Sequence, residues 1–163
     1  MFDPDSLTHS IVDLMKSPDR APVVARNWAQ LYATYAADGT TLLGGHPLSL
    51  DAAQATLQGA LTGVFANPYQ LAPQTATQMA AAFTAFWLLP PVATTDVFPG
   101  VVTAVAGTAL LQTALLSAWF SNFASKASGE QAARGIATAL DAFSRTVIVT
   151  NATVPSPTVG PLS

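Results

Sequence analysis

The sequence predicts a mainly α fold: a bundle of about six helices, closed by a short C-terminal β-strand and an extended, proline-containing arm. Three observations predict it. Apolar residues recur three and four positions apart in separate segments. Proline, glycine or a capping residue divides each segment from the next. One run alone, Thr146–Thr150, turns to β-branched residues throughout. At 163 residues the chain suits a single core of useful size. The expected organisation is a helical domain over 1–145 and a strand with its arm over 146–163.

The first helix is expected over Leu7–Met15, capped by Asp5 or Ser6, with Leu7, Ile11, Leu14 and Met15 sharing a face. Ser17-Pro18-Asp19 breaks it. Pro22 suits the first turn of a second helix that ends near Gly39. Val24, Trp28, Leu31, Tyr32 and Tyr35 give that helix an aromatic stripe, read as core or interface, with a ligand-stacking platform as the other possibility. Gly39–Pro47 is a glycine-rich connector. It lacks the lysine and the spacing of a phosphate-binding loop. Ser49 caps a third helix over Leu50–Phe65, whose inner face is Leu50, Leu57, Leu61, Val64 and Phe65. Asn67-Pro68 ends it.

Pro73 opens a fourth helix that runs to about Leu89 and aligns Met79, Phe83, Phe86 and Trp87; Pro90-Pro91 stops it. Val92–Gly100 reads as a loop. The fifth helix is expected over Val101–Phe123, with Gly107, Ala114, Ser117 and Ser121 forming a small-residue track that another helix could approach closely. Ser128 and Gln131 match a capping box ahead of a sixth helix, Gly129–Phe143, striped by Ile136, Leu140 and Phe143. The strand at Thr146–Thr150 has no second convincing strand to pair with, so its partner is expected in another chain. Val154–Ser163, with Pro155, Pro157 and Pro161, reads as an extended arm reaching onto a neighbour.

Charge is the most unusual property. Charged residues make up 9% of the chain, against roughly 25% in an ordinary soluble domain. Among the 74 residues between Asp51 and Lys126, Asp96 is the only charge. This excludes a basic nucleic-acid patch and a charge-rich disordered chain. A stretch so neutral is expected to be hidden against other subunits or, alternatively, in a lipid bilayer. The twenty residues Val101–Phe120 carry no charge and reach the length of a membrane span, although Gln112 in the middle would need a partner. Met1–Asp5 has no basic stretch, so no signal peptide is expected.

Catalytic chemistry finds little support. The chain has no cysteine, which removes disulfides, thiol catalysis and thiolate metal sites. His9 and His46 lie far apart in sequence and lack carboxylates at ligand spacing, so no metal or cofactor is expected. Asp3, Asp5 and Asp13 cluster near a helix start, where the dipole favours them. No G-x-S-x-G nucleophile elbow is present. Glu130 with Arg134, and Asp141 with Arg145, are local i,i+4 pairs. The protein is therefore expected not to be an enzyme.

The helix A-A-R-G-I-A-T-A-L-D-A-F followed by T-V-I-V-T-N-A-T-V-P-S-P-T-V-G-P-L-S resembles, in style, the minor structural proteins of tailed bacteriophages. The resemblance implies a neck, tail or baseplate component of the virion, assembled in the host cytoplasm, that acts through obligate interfaces with copies of itself and other structural subunits. A membrane-inserted, holin-like or ejection-channel protein using 101–120 is the alternative. The side chains expected at the interfaces are Trp28, Tyr32 and Tyr35 on the second helix and Phe83 and Trp87 on the fourth. Leu111, Leu115 and Trp119 join them from the fifth segment, Val147 and Val149 from the strand, and Val154 and Val159 from the arm.

Overall fold

The computed structural model describes residues 2–16, 19–67, 69–95, 100–125, 128–151 and 159–163. Among them are six helices: α1 (Pro4–Met15), α2 (Ala21–Ala37), α3 (Asp51–Phe65), α4 (Ala72–Leu88), α5 (Thr108–Ser125) and α6 (Gly129–Ser144). Four short strands, β1 (Ala93–Thr94), β2 (Gly100–Val105), β3 (Val147–Asn151) and β4 (Val159–Pro161), form one antiparallel sheet in the order β1-β2-β3-β4. The mainly helical architecture with a small C-terminal sheet is as the periodicity predicts.

The helix ends follow local chemistry. Asp3, rather than Asp5 or Ser6, caps α1 by accepting from the amides of Asp5 and Ser6, and Pro4 fills the first position. Proline also sits in the first turns of α2 and α4. Leu50 takes the N-cap of α3 without a side-chain bond, and Ser49 donates instead to the Asp51 carboxylate. The expected capping box is present on α6: Ser128 Oγ accepts from the Gln131 amide while Gln131 Oε1 accepts from the Ser128 amide.

The predicted stripes face one core. Leu7 and Ile11 of α1, Leu57, Leu61 and Val64 of α3, Phe83, Phe86 and Trp87 of α4, and Ile136, Leu140 and Phe143 of α6 are all buried in it. Met15 is the exception, 48% exposed. At the centre, Trp87 Nε1 donates to Tyr32 Oη at 3.0 Å, Tyr32 donates to Ser144 Oγ at 2.8 Å, and Ser144 donates to the Leu140 carbonyl. The side-chain polar groups of Trp87, Tyr32 and Ser144 thereby have their partners, which avoids a desolvation cost of about 1–3 kcal/mol per unmet group. Phe83, Phe86 and Trp87 meet the Tyr32 ring edge to face.

The fifth segment departs from expectation. Val101–Phe123 is not one helix: β2 occupies 100–105 and α5 starts at Thr108. Val101, Val102, Thr103 and Val105 are β-branched, and a run apolar at almost every position satisfies either period. The division removes the proposed span over 101–120, and no helix among the described residues is long and apolar enough to cross a membrane. Ser117, on the expected small-residue track, is exposed. The close helix approach uses Ala118 instead, whose Cβ lies 3.4 Å from where a Cβ on Gly135 of α6 would sit.

The β3 strand also finds its partners at home. It pairs with β2, Val102 opposite Val149 and Val105 opposite Val147, and on its other side with β4. No second chain is required, because the arm's end returns to supply the outer strand. Leu162 is 1% exposed within the core, and Ser163 exchanges main-chain hydrogen bonds with Thr40 at 2.9 and 2.8 Å. The expected reach of the arm onto a neighbour is therefore corrected for 159–163, while Val154 lies outside the described residues.

The Gly39–Pro47 connector is tied down as well. His46 N–H donates to Thr95 Oγ1, Leu48 N–H to the Ala93 carbonyl, and His46 Nδ1 to the Gly39 carbonyl. Its tight turn places Gly44 at φ +79°, a conformation that favours glycine.

Candidate interaction surface

Most of the side chains expected to contact other subunits are core. Tyr32, Phe83, Trp87, Leu115 and Val147 are fully buried, and Trp28, Tyr35, Leu111 and Val149 are nearly so. Trp119 is half-buried against the same cluster. Burying each large apolar side chain stabilises the monomer by about 1.5–3 kcal/mol. Turning them outward toward a neighbour would forfeit that, so they are corrected from interface to core. Val159 takes part in β4 through its backbone pairing with Thr150.

The surface left over has two unlike halves. Charged residues gather on α1, the start of α2 and α6. The ion pairs there are Lys16–Asp13 at 3.5 Å, Arg134–Glu130 at 3.6 Å and Arg145–Asp141 at 3.0 Å. The first two are exposed and worth a few tenths of a kcal/mol each. Arg145 is better held. Its Nε and Nη2 grip both Asp141 oxygens at 3.0 Å, and its guanidinium lies 5.7 Å from the centre of the Phe2 ring. Tyr35 Oη donates to the same Asp141 carboxylate while its ring stacks on Phe2 at 4.9 Å. Hydrogen bonding to Asp141 raises the Arg145 pKa. Burial first, and then the bond to Asp141, push the Tyr35 hydroxyl up.

The charge-poor remainder comprises α3, α4, the start of α5 and the sheet, where Asp51 at the head of α3 is the charge among the described residues. Of the nine large apolar side chains exposed among the described residues, eight lie between positions 42 and 110: Leu42, Leu43, Leu48, Tyr69, Leu71, Leu89, Val101 and Leu110. Tyr69 is 92% exposed and Leu110 72%. Ala60, Gly63, Gln78, Ala81 and Ala85 line a shallow uncharged depression between α3 and α4. Beyond it, the open face of the sheet carries Val101 and a Thr103–Thr150 hydroxyl pair at 2.8 Å. Sequence reasoning did not single out these residues, because it selected the aromatic, leucine and valine side chains on the apolar stripes and the strand, which a core claims first.

Two clefts lie on the charged side. The smaller, of about 230 Å³ between α1 and α6, brings His9 together with Asp5, Glu130 and Arg134. His9 Nδ1 donates to the Asp5 carbonyl at 2.9 Å, an ordinary intrahelical use. The larger, about 580 Å³, separates α1 from α2. Among the described residues no group of three or more His, Asp or Glu side chains is arranged to hold a metal ion. No protein-family model, characterised protein or solved structure matches this chain.

Proposed function

We propose that this protein is a non-enzymatic structural subunit whose neutral half packs against further copies of the chain in a larger assembly, of the kind found in the neck, tail or baseplate of a tailed-phage virion. The supporting observation is the coincidence of two properties: the charge-poor stretch between Asp51 and Lys126 carries five of the nine large apolar groups exposed among the described residues, and three more, Leu42, Leu43 and Leu48, lie just ahead of it. Leucines two-thirds exposed, set among alanine, glycine, glutamine and threonine, gain by losing water. Neighbours without charge also suit a contact between identical patches, where like charges would otherwise meet.

Sedimentation velocity of the full chain over rising concentration tests the reading. The wild type is expected to associate. Leu71→Lys, Leu89→Lys and Leu110→Lys together are expected to return it to a monomer with unchanged helical circular dichroism, and Met15→Lys on the charged half to leave association intact. A wild type monomeric throughout, or a triple variant that associates equally, overturns the proposal. The virion placing adds that purified particles contain the chain at fixed stoichiometry by mass spectrometry; particles without it refute that placing.

A further inference from the structure

We infer that the cleft between α1 and α2 is a docking groove for a basic amphipathic helix of a partner protein. It belongs to the charged half, so it is independent of the packing proposed above. α1 lies along α6 and meets α2 much less closely, although the two follow each other in the chain. Phe2 stacked on Tyr35 places the start of α1 beside the end of α2, so the helices run antiparallel with the groove between them.

The groove is lined at a regular spacing. Leu7, Ser10 and Leu14 come from α1, and Asn27, Leu31 and Thr34 from α2. Steps of three and four residues on both walls are the steps by which one helix presents a seam to another. From Asp3 to Leu14 on one side and from Asn27 to Asp38 on the other, each wall extends about 16 Å at the helical rise, or three turns. Leu7 is buried at the floor, while Leu14 and Leu31 are half-buried and turn part of their surface to the opening. Two helices with facing seams and a void of about 580 Å³ leave room for the side chains of a third.

Charge selects the kind of helix. Asp3 and Asp38 stand at one end of the groove and Asp13 at the other, and no lysine or arginine lines it. Asp13 is shared with Lys16 at 3.5 Å, an exposed pair that an incoming cation can replace at little cost. The groove therefore fits leucine-type side chains along one face of a helix, flanked by lysine or arginine that meets carboxylates at both ends.

A synthetic three-turn helical peptide serves as the probe, with leucines at i, i+3 and i+7 and lysines flanking them. Fluorescence anisotropy against the full chain is expected to show saturable binding that weakens with added salt. Exchanging the lysines for glutamates, or the leucines for serines, is expected to weaken binding at least tenfold. Gln30→Lys with Thr34→Lys, both at exposed positions, is expected to do the same with circular dichroism unchanged; Asp13→Lys alone gives a second variant if that pair misfolds. No binding to the wild type overturns the inference, as does equal binding by the serine peptide, which would reduce it to charge attraction. Self-association abolished by the groove variants without peptide would assign the groove to a second copy and equally overturn it.

Discussion

Gly107 and Thr146 touch so closely that the glycine N–H donates to Thr146 Oγ1 at 2.8 Å, and a Cβ built on Gly107 would stand 2.5 Å from that same oxygen. The contact joins the turn between β2 and α5 to the turn between α6 and β3. Thr146 cannot swing away, because its hydroxyl also donates to the Phe143 carbonyl at 2.7 Å. It is β-branched besides, and stiff at its first torsion.

Gly107→Ala should therefore destabilise the fold by about 1–3 kcal/mol, the range for forced overpacking. Urea unfolding checks it. The same substitution on a Thr146→Ala background should cost clearly less, since the obstructing atoms are gone. Equal costs on both backgrounds would sink the steric account.

The end of the chain is part of the core. Leu162→Ala should cost about 2–4 kcal/mol, as for other fully buried leucines. Removing Leu162 and Ser163 should cost at least as much, because Thr40 loses its main-chain partners too. Thermal and urea unfolding measure both; a truncated chain as stable as the intact one would contradict the docked tail.

Stability should fall in alkaline solution. Burial raises the hydroxyl pKa of both Tyr32 and Tyr35 in the folded chain above the ordinary value near 10. The unfolded chain then releases these protons first, so stability is complete below about pH 10 and declines as pH rises beyond it. Tyr35→Phe should flatten that decline, leaving the share of Tyr32. Urea midpoints at pH 8, 10 and 11 for the two proteins decide the matter, and parallel declines would exclude Tyr35 as a source.

The groups that made the helices legible were punctuation and period. Pro22, Pro73 and the Ser128–Gln131 box mark starts that the structure keeps, and the stripes at Tyr32, Phe83 and Leu140 are inward in fact. Whether those residues serve a core or a subunit contact was not legible from the same pattern. Trp87 or Leu115 reads identically in a core and in a subunit contact, because periodicity reports which face is apolar and not what covers it.

The sequence by itself determined the six helical segments, the concentration of charge at the two ends of the chain and the neutrality between them, since each depends on residues near one another. Only the tertiary structure decided that 100–105 is a strand, that β3 pairs within its own chain and that the last residues close the sheet. Strand pairing and burial are settled by partners distant in sequence: Val102 meets Val149 and Thr40 meets Ser163. A segment apolar at nearly every position fits either period until such a partner competes for its backbone.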